Sequence, residues 1–263
     1  MKFFGDVPPH IDAGDCPGTL MVLEGSNGVG VSTQIQLLRE WLEVQGYGVA
    51  VINSTQNNAL SGAVVDNPNA FRHRTTYALL HAIDLADQIE RTVLPAMRNG
   101  FIVLADRYMF TAIARAAVRG GDAAWLRDLF GFAPVPDLTI YLQADINSLI
   151  ERTLARGPIS DEAAGRELAL GDDLFDCFKK YQTKLVREFN QMAGEFKFHT
   201  VNARKNPVAI QEDLHQIVAT FLEGREKEQA PPPPPRPPKP PAQKPTDPPQ
   251  RPADSTKSSA ARA

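Results

Sequence analysis

Between a short apolar run, Thr19 to Glu24, and a stretch of helical spacing lies the loop Gly25-Ser26-Asn27-Gly28-Val29-Gly30-Val31-Ser32-Thr33. No other segment constrains the fold as much. A buried strand that turns through glycines into an amphipathic helix presents backbone N–H groups at the helix N-terminus, where they surround an anion. Ile35, Leu38 and Leu42, with Leu37 and Trp41 beside them, set a helical period to about Gln45. The loop nearly satisfies the phosphate-binding pattern G-x-x-x-x-G-K-[ST]. Gly25, Gly30, Ser32 and Thr33 are in place, but residue 31 is valine where the pattern has lysine. Ser32 is the expected Mg2+ ligand. A tight structural turn with no ligand is the plainer alternative.

The same alternation continues along the chain. Strands are expected at Val49 to Ile52, Phe101 to Ala105, Leu138 to Leu142 and Phe196 to Val201. A long helix is expected over about 71–98, with Leu79, Leu80, Ile83, Ile89, Val93 and Leu94 on its inner face and Asn99-Gly100 as its stop. Helical segments follow to about Phe130, and another runs to about Ala155. Leu174, Phe178, Tyr181, Leu185, Phe189 and Met192 mark an amphipathic helix, as do Ile210, Leu214, Ile217 and Phe221. Residues 54–70 and 158–173 show no clear period. Alternating strands and helices imply right-handed crossovers and a five-stranded parallel sheet between two helical layers. Ligands of such sheets bind off the carboxyl ends of the strands. The glycine loop and Asp106-Arg107-Tyr108 both fall there.

The chain of 263 residues carries a net charge of −3, with no global basic field for nucleic acid. The average conceals a boundary. Thirteen of the 22 prolines lie from Pro231 to Pro252, and residues 231–263 carry +4, which leaves −7 on residues 1–230. We expect a loop-like lead-in over 1–18, an α/β domain over 19–224 and a disordered, basic, proline-rich tail over 225–263. The tail contains PxxP segments of the kind that dock on aromatic grooves; a solvated tail is the plainer reading. No run approaches the roughly 18 apolar residues of a membrane span, and a cytoplasmic location is expected. Two cysteines without CxxC spacing and five scattered histidines give no disulfide scaffold or zinc site.

LEGSNGVGVSTQIQLLREWLE, VLPAMRNGFIVLADRYMFTAIA and PDLTIYLQAD, in this order and spacing, resemble the thymidylate kinase family of P-loop nucleoside monophosphate kinases. The resemblance covers about 19–222. Phe4-Gly5 and GDDLFDCFKKYQTKLVREF resemble a divergent bacterial branch of that family, whose loop often has arginine in place of lysine. The resemblance implies a P-loop NTPase fold and a role in nucleotide biosynthesis. It also implies transfer of the ATP γ-phosphoryl, with Mg2+, to a nucleoside 5′-monophosphate, usually dTMP. It implies that Asp106 orients Mg2+ waters or the acceptor phosphate, that Arg107 holds that phosphate, and that Tyr108 lies against the nucleoside. Arg152, Arg156 and Arg166 flank the lid, from which one closes on the transferring phosphoryl; a solvated charge is the plainer reading of each. A homodimer through the long helices is implied as well.

Several positions depart from the family pattern. Val31 replaces the loop cation. Asn27 stands where a carboxylate often faces the acceptor sugar. His81 takes the place of a ring that stacks on the acceptor base, and Leu85 that of an arginine that binds acceptor phosphate. Arg72, Arg74 and Arg91 are the candidates to compensate. Ser54-Thr55-Gln56 occupies the region of an Arg-Glu-Pro element. Two functions stay open, a slow kinase and a non-catalytic nucleotide-binding or scaffolding protein.

Overall fold

The computed structural model describes residues 1–11, 14, 16–53 and 73–229, with side chains through Arg225. Residues 54–70, Arg72 and the proline-rich tail lie outside the described residues. The strands are β1 (Thr19–Gly25), β2 (Val49–Asn53), β3 (Ile102–Asp106), β4 (Leu138–Gln143) and β5 (His199–Asn202). All neighbouring strands pair parallel, in the order β2-β3-β1-β4-β5. The helices are α1 (Val31–Val44), α2 (Arg74–Gln88), α3 (Leu94–Arg98), α4 (Met109–Val118), α5 (Ala123–Leu129), α6 (Ile146–Arg156), α7 (Asp161–Ala164), α8 (Leu174–Glu195) and α9 (Pro207–Gln229).

β1 is buried along its whole length, and its side chains alternate between two cores. Leu20 and Val22 face a core shared with α2, α4 and α8. Met21 and Leu23 face a second core with α1 and α9. Helices therefore cover both faces of the sheet, as parallel pairing requires.

α2 joins α3 through a π-helical turn, Ile89–Val93. Pro95 follows it; its ring cannot sit against the carbonyl four residues back or donate to it, and widening the preceding turn relieves that conflict. The inner face of α2 differs from the sequence expectation. Tyr77, Ala78, Ala82 and Leu85 are buried, whereas Leu79 and Ile83 are 42% and 48% exposed. Apolar residues lie on both sides of this helix, so the period alone did not choose the side. The last strand starts later than expected, at His199. α8 runs to Glu195, and Lys197 turns with φ +55° before the chain becomes extended.

The lead-in is tied down. Gly5 N–H donates to the Gly131 carbonyl at 2.8 Å and Phe4 N–H to that of Ala133 at 3.1 Å. The Phe4 ring meets Phe110 and Phe196 edge-on, each at 5.8 Å. Among the described residues, no helix is long and apolar enough to cross a membrane.

Candidate active site

β1 and β3 are adjacent, with Leu23 opposite Asp106, so the glycine loop and the Asp106-Arg107 turn leave the sheet side by side. The loop's conformation needs its glycines at two points. Gly30 begins α1 with φ +107°, and Gly28 has φ +84° with Thr153 of α6 packed where a Cβ would stand. Among the described residues no side chain caps the start of α1, and its first turn holds no acidic residue. The first N–H groups of a helix have no partner within it. Such a start suits an anion.

The Asp106-Arg107 turn is locked to the loop. Arg107 is buried and has φ +68°, a conformation that costs a non-glycine residue about 1–3 kcal/mol. Its N–H donates to the Leu23 carbonyl at 3.0 Å. Its guanidinium donates to the Gly25 carbonyl and, at 3.3 Å, to that of Ser26. Asp106 accepts from the Asn53 amide at 3.0 Å through Oδ2. Its Oδ1 is buried without a hydrogen-bond partner among the described residues, as is Ser26 Oγ.

Sequence reasoning passed over Glu24, the acid at the end of β1. It is fully buried, and burial pushes its carboxyl up to about 7 against the pull of Thr111, Arg107 and Tyr108. It accepts from the Tyr108 N–H at 2.8 Å and from the Thr111 hydroxyl at 2.5 Å. One carboxyl thus ties the end of β1 to the start of α4. The only acid in an otherwise apolar strand run was the available signal.

Tyr108 is completely buried, its hydroxyl donating to the Pro134 carbonyl at 3.0 Å, so in this conformation its ring belongs to the core. His81 lies against Tyr77, with ring centroids 4.5 Å apart. Burial, then the positive charges of Arg115 and Arg119, lowers its pKa to about 3, and the imidazole is neutral. Leu85 is a core residue at 2% exposure. Of the compensating arginines, Arg74 is exposed and leans on the Gly120 carbonyl at 3.4 Å. Arg91 is exposed and paired with Asp87 at 2.6 Å.

Two other buried arginines, Arg115 in α4 and Arg119 directly after its last residue, face this region. Arg115 donates to Asn27 Oδ1 of the glycine loop at 3.1 Å and to Glu162 of α7 at 2.9 Å. Arg119 donates to the Tyr181 hydroxyl at 2.8 Å and to Glu167, and its guanidinium lies 3.9 Å over the Tyr77 ring. Burial opposes both charges, but Tyr77, Tyr181 and the two glutamates outweigh it and raise both pKa values. Arginines at i and i+4, one inside MFTAIARAAV and one directly after it, were the overlooked signal.

The lid arginines separate. Arg152 donates to the Val29 carbonyl at 3.0 Å and the Lys205 carbonyl at 2.9 Å, and so braces the loop from α6. Arg156 is exposed at the end of α6, and Arg166 is exposed and pairs with Asp161 at 3.3 Å. Val31 is 2% exposed and packs with Met21, Leu23 and Ile35 in the second core.

This arrangement is that of a P-loop NTPase. The thymidylate kinase family model matches residues 23–214. The "Probable thymidylate kinase 2" of Saccharolobus solfataricus is 31% identical over 211 residues, covering 78% of this chain and 98% of that protein. The "Probable thymidylate kinase" of Pyrococcus abyssi is 33% identical over 215 residues, covering 79% and 98%. The "Thymidylate kinase" of Clavibacter sepedonicus is 41% identical over 138 residues, covering 49% and 64%. The chain belongs to the thymidylate kinase family.

The family uses ATP and Mg2+. The residues here fit both. The uncapped start of α1 suits phosphate oxygens, and the unpartnered Asp106 Oδ1 is a hard oxygen donor beside the loop.

Proposed function

We propose that the chain is a nucleoside monophosphate kinase that moves the ATP γ-phosphoryl to a nucleoside 5′-monophosphate, dTMP being the first candidate from the family and the names of the relatives. The observation that carries this reading is Arg107: a buried guanidinium, in a strained turn, joined to the carbonyls of Gly25 and Ser26. It stands where an acceptor phosphate would meet the donor loop.

In the reaction, an oxygen of the acceptor phosphate bonds to the γ-phosphorus while the bond to the bridging oxygen of ADP breaks. Little covalent work falls to the protein; it aligns two anions and neutralises developing charge. The N–H groups of Gly25 to Thr33 would cradle the donor phosphates, and Arg107 would orient the acceptor phosphate. Ser32 and Asp106 would hold Mg2+, which when bound offsets phosphate charge. Arg152 would fix the loop through Val29, and Arg156, at the free end of α6, is the arginine with room to swing inward. His81 and Arg74 would border the acceptor; Tyr108 would support Arg107 from below.

The reaction is slow in this reading, because Val31 gives no donor to the β- and γ-phosphates and its side chain packs into the core. The same observation favours a second reading, a nucleotide-binding protein without turnover. A coupled assay of ADP release across nucleoside monophosphates separates the two. A homodimer is also proposed, through the exposed Leu79 and Ile83 of α2.

A further inference from the structure

The family resemblance places an acceptor-phosphate arginine at residue 85, where this chain has a buried leucine. Neither Arg74 nor Arg91 replaces it: one leans on the Gly120 carbonyl and the other is engaged on the surface by Asp87. The cation at the site comes from a different helix. Arg115 of α4 is 7% exposed in its side chain, and its fork bridges the donor loop and α7. One nitrogen holds Asn27 of the donor loop, and the other holds Glu162 of α7.

We propose that Arg115, together with Arg107, forms the subsite for the acceptor's phosphate, and that Glu162 holds this guanidinium in the ligand-free chain and yields it to the phosphate when acceptor binds.

Three features support the exchange. First, the group now on Arg115 is a carboxylate, an anion with the same planar pair of acceptors that a phosphate offers to a guanidinium fork. Second, the partners are unequal. The Glu162 side chain is 70% exposed, so releasing it returns a carboxylate to water at little cost, while Arg115 stays in place under Tyr77 and Tyr181. Third, the two guanidinium groups are held by consecutive residues of the glycine loop, Arg107 by the Gly25 and Ser26 carbonyls and Arg115 by Asn27 Oδ1. Two like charges brought to one loop are relieved by an anion placed between them. Arg119 serves the site differently. Bonded to Tyr181 and Glu167 and stacked on Tyr77, it fixes the wall behind Arg115.

The proposal rests on the kinase reading for the identity of the acceptor, but its test reads binding. The full-length chain with saturating Mg·ADP is titrated calorimetrically with each deoxynucleoside 5′-monophosphate and with its parent nucleoside. The nucleoside Kd divided by the monophosphate Kd isolates the contribution of the phosphate. Arg115→Leu is expected to lower this ratio at least tenfold, with nucleoside affinity little changed and Arg115→Lys intermediate. Glu162→Gln, at an exposed position, is expected to raise it severalfold, and it decides the matter if Arg115→Leu does not fold. An unchanged ratio in Arg115→Leu, equal weakening of nucleoside and monophosphate, or a lowered ratio in Glu162→Gln overturns the proposal. So does a wild type that binds no monophosphate better than its nucleoside. Turnover with an unmoved ratio defeats the subsite alone. An Arg115-dependent ratio without turnover defeats the kinase reading alone.

Discussion

The Thr111 hydroxyl donates to Oε2 of Glu24 at 2.5 Å in a fully buried setting. Glu24 is the penultimate residue of β1, beside the glycine loop; Thr111 lies in the first turn of α4, just past the Asp106-Arg107 turn. The contact welds the donor side of the site to the acceptor side. Thr111→Val keeps the shape and removes the donor, leaving a carboxyl short of one partner. Chemical denaturation of this variant should show a loss of about 1–3 kcal/mol. An unchanged midpoint would mean that the contact contributes nothing.

Glu24 also makes stability depend on pH. Its carboxyl ordinarily titrates at 4.5 and is raised to about 7 in the folded chain, burial being the main cause. Between these values the native state holds the proton and the unfolded state has lost it. The stability from this group is therefore present below pH 4.5 and is lost as pH rises through about 7. At roughly 1.4 kcal/mol per unit, the loss is up to about 3 kcal/mol. Arg107 and Tyr141 are the charged and titratable neighbours that couple to it. Glu24→Gln should flatten denaturation midpoints between pH 5 and pH 8 relative to wild type. Parallel pH profiles would contradict this.

Val31 packs under the loop at 2% exposure. Val31→Lys should raise kcat about tenfold or more, since one transition-state donor contributes roughly 10²–10³ in rate. Nucleotide affinity should change less, because the loop N–H groups remain. Forcing a longer side chain into this packed position should cost about 1–3 kcal/mol of stability. Unaltered turnover in a folded variant would show that an arginine already fills the role.

Leu79 and Ile83 face outward from α2 at 42% and 48% exposure. If this face joins two copies, Ile83→Glu should convert a dimer to a monomer in sedimentation velocity without lowering the melting temperature by more than a few degrees. A wild type that sediments as a monomer at micromolar concentration refutes the dimer.

The sheet, the glycine loop and the Asp106-Arg107 turn were legible because each is written locally: an apolar run, spaced glycines, a charged pair at a strand end. Arg115 and Arg119 were not. Their burial depends on Tyr77 from α2, Tyr181 from α8 and the glutamates at 162 and 167, and no local pattern encodes that convergence. The side of α2 that turns inward was hidden for a related reason. Leu79 and Ile83 are as apolar as Leu85, and only the neighbours α4 and α5 decide which stripe is covered. The family resemblance implied a Tyr108 ring against the nucleoside, whereas here the ring is buried and its hydroxyl donates to the Pro134 carbonyl.

Coupled measurement of ADP release from Mg·ATP across the nucleoside 5′-monophosphates, with Arg107→Leu as control, decides whether a loop without lysine supports phosphoryl transfer. Slow release is expected that requires one monophosphate, is absent without Mg2+, and falls at least tenfold in Arg107→Leu. A wild type that binds Mg·ATP but releases no ADP with any monophosphate would contradict it.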